Sequence, residues 1–339
     1  MKILSVILLA VGFSNIVHGQ EAHRQGAQRS ANAEQEQNPP TYTNVKYGEH
    51  ERNVFDIWLA DSAKPTPLAI YIHGGGFQGG SKETLHFNQS NIGLGFRSQQ
   101  VLNQLLEAGI SVASINYRYL SVETPLPASH HDAKRALQFI RSKAKEWNLD
   151  KSRVAALGGS AGAQICMWLA FSDDMAKPKD TDPIERESTR LTCIVTTGGQ
   201  TTLDLDFWQD KIASLLRFET NAISLFPTLG KVKDPQKARI ARWGAKTMEQ
   251  ANKRAARYSA LSLVSKDDPP IFMSYGMPPT ARPPTDKTRL RGWLTHHVNL
   301  GIALKERSDI LTHEAHLNYP GAELKYQSQV EFFVDKLSD

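Results

Sequence analysis

Five consecutive residues, Gly158-Gly159-Ser160-Ala161-Gly162, have the G-x-S-x-G spacing that suits a serine to attack a carbonyl carbon. A tight strand-to-helix turn lifts such a hydroxyl clear of the backbone, and only small residues two places either side fit the bend. The apolar run Val154-Ala155-Ala156-Leu157 ahead of the motif reads as a strand, and Ala161 to Phe171 reads as a helix. Ser160 would then stand at a helix N-terminus, where unpaired N–H groups favour developing negative charge. A second run, His73-Gly74-Gly75-Gly76-Phe77, follows the apolar segment Leu68 to Ile72 and leads into Gly79-Gly80-Ser81-Lys82. Glycines there let main-chain N–H groups approach an oxygen as it becomes an oxyanion, and each such donor is worth about 3–4 kcal/mol in the transition state. The expected donors are the N–H groups of Gly75, Gly76 and Ala161.

These residues need a frame that holds them together. From about residue 45 strands alternate with amphipathic helices: the strands are Leu68 to Ile72, Ile110 to Ile115, Val154 to Leu157, Cys193 to Thr196 and Ile271 to Ser274. One helix aligns Ala133, Ala136, Leu137, Ile140, Ala144 and Trp147 at three- and four-residue steps, and the last closes through Val330, Phe333, Val334 and Leu337. The alternation predicts an α/β fold, with a mainly parallel central sheet and helices on both faces. Residues 200–265 break the rhythm with a long, mostly helical segment (Phe207 to Phe218, then Pro235 to Ala256). Such an insertion is expected as a cap over the carboxyl ends of the strands, where ligands bind.

Together, HGGGF with GSK, Asn116-Tyr117-Arg118, Asp132 opening a helix, GGSAGA at 158–163 and Asp267-Asp268-Pro269-Pro270 resemble one known group. They are similar to the α/β-hydrolases of the hormone-sensitive-lipase and bacterial acetyl-esterase or feruloyl-esterase-like (BD-FAE-like) group, over residues 45–337. The resemblance implies an α/β-hydrolase fold and ester hydrolysis. It also implies structural roles for Asp132 and Asp268, a loop-shaping role for His73, and support of the elbow by Asn116-Tyr117-Arg118.

The pattern fails where a serine nucleophile most needs partners. A base must reach the serine, an acid must orient the base, and in this fold they follow in the order Ser, Asp or Glu, His. The group usually carries the acid in a G-x-x-D turn after the strand at 271–274, but here the turn reads Tyr275-Gly276-Met277-Pro278-Pro279. Its histidine usually follows the last strand, where this chain has Tyr319-Pro320-Gly321-Ala322-Glu323-Leu324. Four histidines remain downstream of Ser160. His313 and His316, near the last strand, read as ordinary partly buried residues. His296 and His297 fall after the strand at 271–274, at the catalytic end of the sheet. His297 is the preferred base with His296 behind it, and Asp286, in the same proline-rich insertion, is the preferred acid. Glu323 offers only a weak substitute.

Composition frames the rest. The 339 residues, 40% hydrophobic and 22% charged, suit one large domain over residues 41–339. Lys2, the apolar run Ile3 to Phe13 and Val17-His18-Gly19 read as a cleaved secretory signal over 1–19, followed by a flexible leader over 20–40. The expected location is therefore secreted or periplasmic, with no integral membrane segment after signal removal. The net charge of +5 is dispersed, which argues against a nucleic-acid partner. Cys166 and Cys193 read as two buried thiols, with a disulfide left open. No cofactor or metal is expected: His130-His131-Asp132 reads as a capping aspartate beside two surface histidines, because adjacent helical side chains diverge. The oligomeric state is unreadable. The leading functional expectation is an exported serine carboxylesterase for small acyl or aryl esters. A ligand-binding protein on an impaired hydrolase scaffold and a peptidase or amidase are its rivals.

Overall fold

The computed structural model describes residues 38–86, 98–216, 220–226 and 228–338, and the chain divides into the units Met1–Pro39 and Pro40–Asp339. The signal segment and the leader up to residue 37 lie outside the described residues, and the second unit carries everything below.

Eight strands form one sheet: β1 (Tyr42–Lys46), β2 (Val54–Trp58), β3 (Thr66–Ile72), β4 (Ser111–Ile115), β5 (Leu149–Gly159), β6 (Cys193–Thr197), β7 (Ile271–Ser274) and β8 (Ala315–Asn318). Their spatial order is β1-β2-β4-β3-β5-β6-β7-β8. The pairs β1–β2 and β2–β4 are antiparallel and the remaining pairs are parallel. The helices used below are α1 (Ser98–Glu107), α2 (Ala128–Ser142), α3 (Ala161–Phe171), α4 (Leu205–Lys211), α5 (Pro235–Arg242), α6 (Met248–Ala256), α7 (Lys287–Thr295), α8 (Asn299–Leu311) and α9 (Gln329–Leu337).

The period-two alternation of a strand sends successive side chains to opposite faces, and β3 makes the two layers visible. Leu68, Ile70 and Ile72 join one core with Ala133, Leu137 and Ile140 of α2 and Ile165 of α3. Ala69 and Tyr71 join the other with Leu102 and Leu105 of α1 and Phe332 and Phe333 of α9. The strands between these layers are apolar on both sides, as a doubly covered parallel sheet requires. Cys166 belongs to the first core and Cys193 to the second; both thiols are free and buried.

Several elements depart from the sequence expectation. The strands β1 and β2 were not marked by an apolar run, because Asp56 interrupts β2. That carboxylate is buried, and it pairs with Lys82 Nζ at 2.7 Å and His86 Nε2 at 2.7 Å. Helix α2 ends at Ser142, although Ala144 and Trp147 still reach the core. Asp132 lies inside α2 rather than at its opening, and accepts from the Arg118 N–H at 2.8 Å and its guanidinium at 2.7 Å. His130 is not a surface residue: it is buried, stacked on Phe77 and edge-on to Trp168 and Tyr258. The helical run expected over 235–256 is two helices, broken beside Gly244, whose φ of +57° favours glycine. Among the described residues no helix is long and apolar enough to cross a membrane.

Candidate active site

Strand β5 runs into helix α3 through Ser160, which holds φ 52° and ψ −114°. A non-glycine residue in such a region stores about 1–3 kcal/mol, which the surroundings must offset. The surroundings are tight: a Cβ at Gly162 would lie 2.0 Å from the Ile72 carbonyl oxygen, and one at Gly158 would lie 2.7 Å from the Gly162 carbonyl carbon. Only glycine fits either position. The Ser160 N–H donates to the Thr197 carbonyl at 2.9 Å, which ties the bend to β6.

The glycine loop after β3 packs onto this bend. A Cβ at Gly74 would meet the Gly159 carbonyl oxygen at 2.9 Å and the Ser160 Cβ at 3.5 Å. Gly75 and Gly76 turn the loop with φ of +101° and +61°. Tyr117 fastens it, its hydroxyl reaching the carbonyls of His73 (2.9 Å) and Gly74 (3.2 Å) while its ring stacks on His73 at 4.2 Å. Burial drives the His73 pKa down to about 4, so this imidazole is neutral and works as a spacer. The Asn116 carboxamide oxygen accepts from the Lys82 N–H at 2.7 Å, so the GSK segment and the end of β4 lock the loop from behind.

A histidine does reach the serine. His296 Nε2 lies 3.0 Å from Ser160 Oγ. His296 is the residue at which α7 stops, its own N–H donating to the Gly292 carbonyl at 3.0 Å. Burial lowers the pKa of its ring below 6.5, and the Gly292 carbonyl partly restores it. To act as a base toward Ser160, the ring must carry its proton on Nδ1 and present the Nε2 lone pair to the hydroxyl. Among the described residues no carboxylate pairs with His296.

The preferred sequence assignments are therefore corrected. His297 turns the other way, into the core, where its ring meets Trp293 edge-on at 4.6 Å and its Nδ1 accepts from the Asn299 N–H at 3.2 Å. Burial takes its pKa down to about 4. Asp286 does not approach either histidine; it caps α7, accepting from the Arg289 N–H at 2.8 Å. Adjacent residues at a helix end project about 100° apart, so where α7 ends decides which histidine meets Ser160. A signal for this existed in the sequence: Leu290, Trp293, Leu294 and His297 fall at i, i+3, i+4 and i+7, which places His297 on the buried stripe and His296 beside it. Of the remaining residues, His313 is buried between Ser308 Oγ and the Pro269 carbonyl, at 3.0 Å each. His316 pairs with Glu314 at 2.9 Å, and Glu323 is exposed. Asp268 closes its turn, accepting from the Ser265 N–H at 2.7 Å.

Two glutamines, neither anticipated, tie the serine helix to the histidine. Gln164 Nε2 donates to Gln200 Oε1 at 2.7 Å, and Gln200 Nε2 donates to the Gly198 carbonyl at 3.0 Å and the Thr295 carbonyl at 2.6 Å. Thr295 immediately precedes His296. Gly198, with φ of +55°, lies under the imidazole, where a Cβ would come within 3.2 Å of His296 Cδ2. Gln200→Leu leaves the Thr295 carbonyl and Gln164 without this link, and it is expected to cut kcat about tenfold with little change in KM, in keeping with the cost of losing one or two buried hydrogen bonds. A stopped-flow comparison of the two constants checks it; an equal loss in thermal stability with unchanged kcat would assign the glutamine to folding alone.

Ser160, Gly74, Gly75, Gly76, Ala161 and His296 share the wall of a cavity of about 470 Å³. Leu203, Trp208, Phe226 and Trp243, all from the insertion after β6, form its apolar side. Among the described residues no group of histidine, cysteine and carboxylate side chains is placed to hold a metal ion.

Comparison with known proteins fits this geometry. The BD-FAE family profile matches residues 55–294. A probable carboxylesterase 6 of Arabidopsis thaliana is 35% identical over 124 residues, covering 35% of this chain and 33% of that protein. The probable carboxylic ester hydrolase LipM of Mycobacterium tuberculosis is 25% identical over 238 residues, covering 68% of this chain and 46% of its own. The chain thus spans between a third and a half of the length of these two curated relatives. Among solved structures, a truncated carbohydrate esterase from gut microbiota superimposes with a TM-score of 0.59 over 90% of this chain and 99% of its own, at 20% identity. A thermophilic esterase of the Planctomycetes species Thermogutta terrifontis does so with a TM-score of 0.53 over 89% and 90%, at 16% identity. These structural likenesses establish the α/β-hydrolase fold.

Proposed function

The chain belongs to the BD-FAE family, and from that membership we propose that it is a serine carboxylesterase acting on small esters through an acyl-enzyme on Ser160. The observation that carries this reading is the 3.0 Å approach of His296 Nε2 to Ser160 Oγ in the wall of a cavity that Gly74, Gly75, Gly76 and Ala161 also line. The names of the relatives, carboxylesterase and carboxylic ester hydrolase, support the same class of reaction.

His296 takes the hydroxyl proton as Ser160 Oγ bonds to the ester carbon. The carbonyl oxygen becomes an oxyanion and accepts hydrogen bonds from the N–H groups of Gly75, Gly76 and Ala161. Collapse of the tetrahedral species breaks the bond to the alkoxy oxygen, which recovers the proton from His296. Water then repeats the sequence on the acyl-enzyme, and the carboxylic acid leaves. Among the described residues no carboxylate pairs with His296, so the chemistry favours leaving groups that depart with little protonation. Phenols and activated alcohols meet that condition; amines do not. Esters are therefore the substrates, rather than peptides or amides. Export belongs to the same proposal and rests on the signal-like residues 1–19.

Rapid mixing with p-nitrophenyl acetate is expected to release a burst of about one equivalent of p-nitrophenol before a slower steady rate, while p-nitroacetanilide is left intact. Release no faster than in buffer would favour a ligand-binding protein on this scaffold. Comparable cleavage of the anilide would make the enzyme an amidase.

A further inference from the structure

The glycine loop is tied down by a residue that lies outside every motif. Arg52 stands in the turn between β1 and β2 and is half-buried. Its Nε–H donates to the Tyr117 carbonyl at 2.8 Å. Its Nη2 donates to the Gly80 carbonyl at 3.2 Å and to Asn116 Oδ1 at 3.3 Å, and it faces His73 Nε2 at 3.3 Å. The guanidinium rests on the Tyr119 ring, 3.6 Å from its centroid. One side chain thus touches both ends of the loop, at His73 and at Gly80. This arrangement fixes the proton on His73. The Gly74 carbonyl, 2.8 Å from Nδ1, can only accept, so Nδ1 carries the hydrogen. The ring is neutral, which leaves the lone pair on Nε2, toward a guanidinium that can only donate. His73 therefore does more than space the loop: it grips the Gly74 carbonyl together with the Tyr117 hydroxyl. That carbonyl and the Gly75 N–H belong to one planar trans peptide and point in opposite directions. Holding the oxygen aims the hydrogen, and hydrogen bonds accepted by the oxygen strengthen the N–H as a donor. Gly80 closes over the same bond, since a Cβ there would lie 2.6 Å from His73 Nδ1 and 2.7 Å from the Gly74 oxygen.

We propose that Arg52 is a positioning residue for the reaction: it holds His73, His73 holds the Gly74–Gly75 peptide, and the Gly75 N–H is thereby aimed at the developing oxyanion. The inference rests on the esterase reading above and adds to it a residue that is not among those lining the cavity. Its effect falls on the transition state, where the oxyanion exists, and not on the binding of the ester.

Rapid mixing with p-nitrophenyl acetate separates the two effects. In Arg52→Met, which keeps most of the side-chain stem, the limiting rate of the burst is expected to fall about tenfold, less than the loss of a whole oxyanion donor would cost. The ester concentration giving half that limit should change by less than about twofold. In Arg52→Ala, added methylguanidinium should restore part of the rate, because the vacated position is partly open to solvent. Tyr119→Phe loses a hydroxyl bonded to the Gly80 carbonyl but keeps its ring under the guanidinium, and it should burst at the parent rate. His73→Asn combined with Arg52→Met should be no slower than His73→Asn alone, since Arg52 acts through His73. An unchanged burst in Arg52→Met overturns the proposal and leaves the esterase reading standing. So does a loss that methylguanidinium leaves unrelieved, or one that Tyr119→Phe shares, because Arg52 would then only fasten the loop. Additive losses in the double variant overturn it as well. A parent enzyme that gives no burst overturns both readings.

Discussion

His296→Ala is expected to lower kcat/KM for p-nitrophenyl acetate by about 10⁴-fold, the upper end of what a positioned general base supplies. His297→Ala is expected to keep the rate within about tenfold and to lose stability instead, by about 2–4 kcal/mol, as removal of a buried ring leaves a cavity. The contrast between two adjacent histidines is the value of the experiment. His296 Nε2 is 3.0 Å from the hydroxyl, whereas His297 is enclosed beside Trp293. The pH profile carries a second signature. The His296 pKa is lowered from 6.5 by burial, and it accepts a proton only while neutral. Activity should therefore persist above that lowered pKa and fall as the pH drops through it, with the midpoint of the acid limb below 6.5. A nearby carboxylate would have moved it the other way. An acid limb at or above 7, or full rates in His296→Ala, would remove this histidine from the mechanism.

Ser160→Ala should cost more, about 10⁵-fold or beyond, since the acyl-enzyme can no longer form. The loss is chemical rather than conformational: the strained φ of 52° belongs to the backbone bend, which Gly158 and Gly162 permit and alanine at 160 does not alter. Melting temperature should stay within a few degrees of the parent. The double variant Ser160→Ala/His296→Ala should be no slower than Ser160→Ala alone, because nucleophile and base act as one unit. Additive losses would mean that each residue acts in a separate step.

The parts of the site that were legible in the sequence are those fixed by local sterics. A Cβ at Gly162 has nowhere to go against the Ile72 carbonyl, so the elbow announces itself wherever the strand and helix patterns flank it. The apolar runs of β3 and β5 are read just as directly, because both faces of those strands are buried. Strand β2 hides because its centre is a charged residue whose partner, Lys82, arrives from a later loop. The base hides for a related reason. The turn and the last strand lack the expected acid and histidine, and helix α7 supplies His296 from within a proline-rich insertion. Choosing between His296 and His297 required the register of α7, which depends on the Asp286 cap and on the burial of Trp293 and Leu294.

The most direct test of the Ser160–His296 pair is reaction with a fluorophosphonate followed by peptide mass analysis across pH. A single adduct on Ser160 is expected. Its rate of formation should follow one deprotonation with a midpoint below 6.5 and collapse in His296→Ala but not in His297→Ala. An adduct on another residue, or labelling of Ser160 that is just as fast without His296, would contradict the account.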